Sequence, residues 1–199
     1  ETGLDEPDPH AVRHVVGLTL EEAIRRLLPR ALPEMHRQTA GAYRRAFHAI
    51  RTRPDHHEPL FDGIADVIDA LAAAGVLLGV ATGKSRRGLD ATLQRHGLGD
   101  KFVTLQTADT NAGKPAPDML LNAMREAGAG PSETAMIGDT LYDLEMARAA
   151  RTAAIGVAWG YHEPDELRPF ADAVAESPPA LLSILATLTG RSSCVSATS

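Results

Sequence analysis

From residue 76 onward the chain alternates short apolar runs with segments of helical period. Buried strands are predicted where the apolar residues run together, at 76–82 (VLLGVAT), 101–107 (KFVTLQT), 134–139 (TAMIGD), 152–159 (TAAIGVAW) and 171–177 (ADAVAES). Apolar strands separated by helical segments are typical of parallel β-α units, whose sheet is covered by helices on both faces. The pattern therefore predicts an α/β fold with a parallel sheet.

The helices between these strands carry their own boundary signals. Leu89 and Leu93 lie on one face of the helix after the first strand, and Gly97 is placed to end it. The helix over 116–128 has Pro117 near its start and Gly128 at its end. Further helices are predicted at 63–75, 140–150 and 179–189.

The segment before residue 51 has helical periodicity and no strand pattern. Its apolar positions recur at helical spacing, at Val12, Val15, Val16, Leu20, Ile24 and Leu27. A polar, turn-rich connector follows, in which His56 and His57 have no metal-ligand spacing. We therefore expect a small helical cap over 1–57, an α/β core over 58–190 and a disordered tail over 191–199.

Composition and charge narrow the possible functions. Of the 199 residues 44% are hydrophobic and 23% are charged, the net charge is −6, and there is no basic tract. These values are ordinary for globular proteins and argue against a nucleic-acid partner. No apolar run is long enough to span a membrane, so no membrane partner is expected. The single cysteine, Cys194, suits a reducing compartment, which predicts a cytoplasmic location.

Candidate functional residues follow the predicted strands, where open α/β sheets bind their ligands. Asp139 comes directly after a strand, and Asp143 follows four residues later, on the same side of the first helical turn. Two convergent carboxylates suit Mg²⁺, which prefers oxygen ligands. The alternative is structural: Asp139 or Thr140 caps the helix and Asp143 is a solvated acid. The motif alone does not separate the two interpretations.

Two other strand ends carry weaker signals. Thr82 ends a strand, and Gly83 allows backbone N–H groups to approach an anion closely. Lys114 precedes a proline, which favours an extended backbone and a fixed cation that could neutralise phosphoryl or carboxylate charge. Taken singly, Lys114 is a surface lysine, and a Thr-Gly pair is common. The cluster of Lys84, Arg86 and Arg87 is expected at an exposed helix start.

Together and in this order, the three elements resemble the haloacid dehalogenase (HAD) superfamily of Mg²⁺-dependent phosphatases, specifically its phosphoglycolate phosphatase-like group. GVATGKSRRGL is similar to the family's second motif, GKPAPDML to its third and MIGDTLYDLEMARAA to its fourth. The resemblance extends over about 10–185. It implies a three-layer Rossmann-like core with a helical cap, a small phosphorylated metabolite as substrate and Mg²⁺ as cofactor.

The resemblance also assigns roles to the candidate residues. It implies that Thr82 and Gly83 bind the phosphate and that Lys114 steadies the nucleophile and the phosphoryl charge. Asp139 is implied as a metal ligand, and Asp143 as a ligand or as the partner of one. The resemblance gives neither the identity of the phosphorylated substrate nor the oligomeric state.

One element of the family pattern is missing. The first motif, Asp-x-Asp-Gly-Thr, supplies the aspartate nucleophile from a central strand, and no such motif occurs in the chain; Asp5 and Asp8 have the wrong spacing. We therefore expect a fragment, or a mispredicted start, with the first strand and helix upstream of Glu1. A truncated protein that folds with a partner strand is the alternative. The strands ending at Thr82 and Asp139 should flank a gap or pair with each other.

For function, these expectations predict a parent enzyme that hydrolyses a phosphomonoester through an aspartyl-phosphate, and no activity for residues 1–199 as they stand. The main alternative is a non-catalytic HAD-like pseudoenzyme that binds phosphate ligands or a partner chain. A phosphoacceptor receiver domain fits less well, because the acidic pair follows the lysine. A dehalogenase or mutase within the same superfamily remains a further alternative.

Overall fold

The strands of the computed structural model are all parallel, but they form two separate sheets. The structure describes residues 4, 6–51, 53, 55 and 57–188. The strands are β1 Gly79–Thr82, β2 Thr104–Thr107, β3 Ala135–Gly138, β4 Ala153–Val157 and β5 Ala173–Ala175. One sheet pairs β1 with β2, and the other has the order β3-β4-β5.

Helices precede the first strand and fill the connections between strands. The helices are α1 Pro9–His14, α2 Leu20–Leu27, α3 Pro33–Arg51, α4 Ile64–Ala73, α5 Arg86–Arg95, α6 Asp118–Ala127, α7 Leu141–Ala150, α8 Pro164–Leu167 and α9 Pro178–Leu188. Short 3₁₀ turns occupy Gly99–Lys101 and Pro131–Glu133. The predicted α/β fold class with a parallel sheet and preceding helices is confirmed.

The two sheets share helix layers on both faces. On one face, Ala81 of β1 and Met136 of β3 pack against the same apolar cluster, which is centred on α6 and α7. On the other face, α4 touches both sheets, because Ile68 packs near Val80 of β1 while Val67 packs with the β4-β5 sheet. The two sheets are therefore held side by side as one three-layer unit.

The predicted separation of β1 from β3 is present, because the two strands belong to different sheets. Among the described residues these strands are not hydrogen-bonded to each other, and each has one ladder partner, β2 for β1 and β4 for β3. Ile137 of β3 is 37% exposed although its neighbour Met136 is 9% exposed. An interior sheet position is normally covered on both faces, so one face of β3 is incompletely covered at Ile137.

Helix boundaries follow the sequence signals closely. Leu89 and Leu93 are buried on α5, and Gly97 follows that helix with a φ of 65°. Pro117 is the N-cap residue of α6, and Gly128 ends α6 in the left-handed conformation with a φ of 66°. Positive φ is accessible to glycine at little cost, which is why these stops could be predicted.

The structure corrects several other boundaries. The strands are shorter than predicted: β1 begins at 79 and β2 at 104, and the apolar residues Leu77 and Val103 before them are exposed. The helical segment before residue 30 is broken into α1 and α2 at Gly17, whose φ of 98° is incompatible with a helix, and Thr19 caps α2. Short α8 was not predicted. Cys194 and the predicted tail lie outside the described residues.

The described residues form no helix long and apolar enough to cross a bilayer.

Leu144 on α7 provides a test of the shared core. Its side chain is 0% exposed, so we expect Leu144→Ala to lower the free energy of unfolding by about 2–5 kcal/mol through lost burial and a cavity. Leu121 on α6 is 48% exposed, and Leu121→Ala should change it by no more than about 0.5 kcal/mol. Urea unfolding followed by circular dichroism measures both, and equal effects would contradict the packing described.

Candidate active site

A buried ion pair joins two of the predicted site residues. Lys114 Nζ lies 2.5 Å from Asp143 Oδ1, and the side chains are only 8% and 4% exposed. Lys114 lies between β2 and α6, and Asp143 lies in the first turn of α7. Buried charges are tolerated when they are paired and hydrogen-bonded. Lys114 is therefore not the surface lysine that its sequence context alone would indicate.

The second carboxylate oxygen of Asp143 accepts two hydrogen bonds at the start of α7. The Thr140 hydroxyl donates to Asp143 Oδ2 at 2.6 Å, and the Thr140 backbone N–H donates to the same oxygen at 3.2 Å. Thr140 is thus the N-cap residue of α7, as the structural alternative proposed. Asp143 is not solvated, however, because it is 2% exposed and each of its oxygens has a partner.

Asp139 directly follows β3, and its surroundings raise the pKa of its carboxyl group. Its Oδ2 accepts the Tyr161 backbone N–H at 3.0 Å, and its carbonyl oxygen accepts the His162 N–H at 3.1 Å. Burial raises the pKa of Asp139, and the nearby Asp143 carboxylate raises it further. The Lys114 cation acts in the opposite direction on this pKa. With both carboxylates ionised, Asp139, Asp143 and Lys114 together carry a net charge of −1 in a part of the fold that has little contact with solvent.

Thr82 and Gly83 reach the same edge of the fold. The Thr82 hydroxyl accepts the backbone N–H of Lys84 at 3.2 Å. A turn between α1 and α2 lies against the ends of both sheets: a Cβ on Gly17 would be 2.8 Å from Thr140 Oγ1, and one on Gly83 would be 3.4 Å from the Leu18 carbonyl oxygen. The segments that carry Thr82 and Asp139 therefore converge beneath this turn, here called the 17–19 turn.

The 17–19 turn also approaches the lysine segment. A Cβ added at Gly113, just before Lys114, would overlap the Thr19 side chain. Asp139 has a similar glycine contact, because a Cβ at Gly160 would overlap its side chain. The sequence pattern did not indicate a role for these glycines. Their signal in the sequence is faint, since a glycine near a site resembles a glycine in any turn.

Lys84 has a partner that the sequence did not indicate. Its ammonium pairs with Glu58, and Glu58 also binds Arg51 at 3.1 Å and Arg95 at 3.4 Å. Arg51 ends α3, so this cluster attaches the helical segment to the loop after β1. Burial raises the pKa of Glu58, but Lys84 and the two arginines outweigh it and hold the pKa below the ordinary glutamate range.

A histidine cluster lies beside the acidic site. His14 Nε2 is 2.8 Å from Glu166 Oε1, and the rings of His14 and His162 are 4.9 Å apart. The ligand atoms of these three residues lie close enough together to hold one metal ion. However, His162 Nδ1 accepts the Leu141 N–H at 3.2 Å, so in a neutral ring the proton is on Nε2. A protonated Nε2 cannot ligate a metal.

The donor set around Asp139 fits a hard cation better. Carboxylate oxygens are the ligands that Mg²⁺ prefers, and Mg²⁺ usually binds one or two carboxylates together with waters and phosphate oxygens. Asp139 supplies one carboxylate whose Oδ2 already accepts a backbone N–H. A divalent cation would offset the net negative charge of Asp139, Asp143 and Lys114. Asp143, with both oxygens engaged, suits the role of holding Lys114 in place.

Comparison with known proteins supports the family that the sequence motifs indicate. The family model described as "Haloacid dehalogenase-like hydrolase" matches residues 1–157. A probable phosphatase, IndB, of Dickeya dadantii is 38% identical over 164 residues, which cover 81% of this chain and 70% of that protein. A phosphoglycolate phosphatase of Chromobacterium violaceum is 32% identical over 172 residues, covering 83% and 76% respectively.

Solved structures agree at the level of the fold. A hydrolase from Pseudomonas syringae superposes with a TM-score of 0.77 at 23% identity, over 89% of this chain and 82% of that chain. The family indicated by the sequence motifs and the Rossmann-like architecture are therefore both confirmed.

Gly160→Ala tests the close approach to Asp139. The added methyl group would overlap Asp139 Cβ, and overpacking of this kind costs about 1–3 kcal/mol. For a chain of this size we expect the Tm to fall by about 2–4 °C for each kcal/mol. Gly99→Ala is the matched control, because nothing lies within 4 Å of its added Cβ. Differential scanning calorimetry of both variants measures the difference, and an unchanged Tm for Gly160→Ala would contradict this contact.

The pH dependence of the stability of Glu58→Gln tests whether the charge of Glu58 attaches α3 to the loop after β1. Because the pKa of Glu58 is lowered in the folded state, its charge stabilises the fold above its unfolded pKa, and this contribution is lost as pH falls through the folded pKa. Wild type should therefore be more stable than Glu58→Gln at pH 7, and the two should converge in acid. Urea unfolding at a series of pH values measures this. A difference that does not change with pH would argue against the ionic role.

Proposed function

Because the chain belongs to the haloacid dehalogenase-like hydrolase family, we propose that its site is built for Mg²⁺-dependent hydrolysis of a small phosphomonoester, in the manner of a phosphoglycolate phosphatase. The main support is the buried Lys114–Asp143 pair, which fixes an ammonium beside Asp139 at the edge where Thr82 also ends its strand. Mg²⁺, when bound, supplies positive charge to the phosphoryl oxygens.

Each candidate residue has one role in this proposal. The Thr82 hydroxyl and the Gly83 backbone bind the phosphoryl oxygens, and Lys114 neutralises charge that develops during transfer. Asp139 holds Mg²⁺ through a carboxylate oxygen. Asp143 orients Lys114 through Oδ1, and its Oδ2 is held by Thr140. A fixed lysine costs no reorganisation at the moment of reaction, which is the physical advantage of burying the pair.

The proposed reaction needs one group more. An aspartate nucleophile attacks phosphorus, the leaving oxygen takes a proton, and water then cleaves the aspartyl-phosphate. The 199 residues contain no Asp-x-Asp-Gly-Thr motif to supply that aspartate. Asp143 cannot replace it while both its oxygens are engaged. We therefore propose that these 199 residues bind phosphate and Mg²⁺ but do not turn over a phosphomonoester on their own.

A non-catalytic role is the second candidate. A pseudoenzyme that binds a phosphate ligand or a partner chain would use the same Thr82, Lys114 and Asp139 without chemistry. The observation that favours it is that, among the described residues, β1 and β3 each form a ladder with one strand only. We also propose a cytoplasmic location and a small phosphorylated metabolite as ligand, with neither nucleic acid nor a membrane as partner; the cytoplasmic location follows from the single cysteine.

Turnover by the purified chain tests the proposed lack of activity. We expect no Mg²⁺-dependent release of phosphate from p-nitrophenyl phosphate or phosphoglycolate above a buffer control. Turnover that survives repeated purification and is lost in Lys114→Met would contradict the proposed lack of activity.

Asp139→Asn tests the proposed Mg²⁺ site separately from activity. The amide can still accept the Tyr161 N–H but removes a buried charge, so without Mg²⁺ the variant should have a higher Tm than wild type. Mg²⁺ should raise the Tm of wild type and leave that of Asp139→Asn unchanged. Asp165→Asn is the control, because that side chain is 94% exposed and should not alter either result. An equal Mg²⁺ shift in Asp139→Asn would place the ion elsewhere.

A further inference from the structure

A network of hydrogen-bonded side chains runs between β2 and α6, outside the residues assigned to the proposed site. Asn122 Nδ2 donates to Asn111 Oδ1 at 2.6 Å, and Asn111 Nδ2 donates to Gln106 Oε1 at 3.2 Å. Gln106 Nε2 donates to Thr104 Oγ1 at 2.8 Å, and that hydroxyl donates to Glu126 Oε2 at 2.5 Å. These five residues are here called the Asn111 network.

Asn111 is the residue at which the network meets the segment that carries Lys114. Residues 108–117 connect β2 to α6, and Asn111 lies in this connection, three residues before Lys114. Its amide nitrogen also donates to the carbonyl oxygen of Thr107 at 3.0 Å, which is the last residue of β2. Its amide oxygen accepts from Asn122 on α6. Asn111 therefore fixes the connection to both of the elements that it joins.

The network occupies a place that apolar side chains could also fill. Thr104 and Gln106 are each only 4% exposed, and two of their partners in the network belong to α6. Buried polar groups cost free energy unless they are hydrogen-bonded, and a fully bonded network chiefly specifies one geometry. The chain has only two asparagines, and here they bind each other. The network therefore serves to position the connection more than to add stability.

Lys114 needs a fixed support because its own side chain is flexible. A lysine carries its ammonium on a four-carbon stem with several rotatable bonds, yet this ammonium pairs with the buried Asp143 carboxylate. The close approach of Gly113 to Thr19 limits the segment on the side of the 17–19 turn. Asn111 holds the same segment on the side of β2 and α6.

We propose that Asn111 is a positioning residue for Lys114. By holding the connection to Gln106 on β2 and to Asn122 on α6, it keeps the lysine where its ammonium pairs with Asp143. The use of this ammonium toward a phosphoryl group rests on the proposed function, but its position does not. The position is therefore measured without phosphate or Mg²⁺, so that failure of this inference and failure of the proposed function are distinct results.

Lysine acylation measures this position in the whole folded chain. The 199 residues contain three lysines, Lys84, Lys101 and Lys114, whose side chains are 37%, 37% and 8% exposed. Trace labelling with acetic anhydride should therefore modify Lys114 least. Peptide mass spectrometry gives the ratio of label at Lys114 to label at Lys101, here called the labelling ratio.

Asn111→Ala should raise the labelling ratio at least about tenfold, because several buried hydrogen bonds are lost together and the connection is released. Asn122→Ala removes only the contact with α6 and should raise the ratio at least about threefold. Circular dichroism shows whether each variant is folded. If Asn111→Ala does not fold, the milder Asn122→Ala carries the test.

Two controls separate positioning from a general loosening of the fold. Asp109→Ala releases the same connection from α5, because Asp109 Oδ2 accepts the Arg86 backbone N–H at 2.5 Å. Leu181→Ala removes a side chain that is 3% exposed on α9 and lowers the stability of the whole fold. Because neither residue belongs to the network, both variants should leave the labelling ratio within about twofold of wild type.

A labelling ratio that rises in the asparagine variants and not in the controls supports the proposal. An unchanged ratio in Asn122→Ala and in a folded Asn111→Ala overturns it. A rise in Asp109→Ala or Leu181→Ala as large as that in the asparagine variants also overturns it, since the network would then have no particular part in placing Lys114.

Discussion

The buried contact between Lys114 and Asp143 is the interaction on which the site depends. It joins the loop after β2 to the first turn of α7, which follows β3. Because β2 and β3 belong to different sheets, the contact connects the two sheets. With both side chains almost fully buried, loss of either partner would leave an uncompensated charge inside the fold. The pair therefore contributes to the relative position of the two sheets as well as to the placement of an ammonium beside Asp139. The proposed binding chemistry and the architecture therefore use the same two residues.

Much of this arrangement could be predicted from the sequence, because it rests on local signals. Gly97, Pro117 and Gly128 mark helix ends through their own backbone preferences, so those boundaries could be read directly. The convergence of Thr82, Lys114 and Asp139 could be predicted from strand order, since parallel strands bring their carboxyl ends to one edge. The separation of β1 from β3 could also be predicted. The family pattern has a central strand between them, and the chain contains no match to the motif of that strand.

The rest depends on contacts between residues far apart in sequence. Nothing near Glu58 indicates that one carboxylate will collect Lys84, Arg51 and Arg95, since these charges come from three separate elements. The choice between a capping and a metal-binding role for Asp143 could not be made from spacing, because a capping box and a pair of acids share that spacing. Only the position of Lys114 shows that Asp143 is buried and paired.

The 17–19 turn has a further consequence for the local stability of the fold. The turn connects α1 and α2, and α1 is a six-residue helix with no buried residue. Elements with little buried surface open at the lowest free energy, often many times before the whole protein unfolds. We therefore expect α1 and its turn to open locally at a lower free energy than the α/β core, which stays folded beneath them.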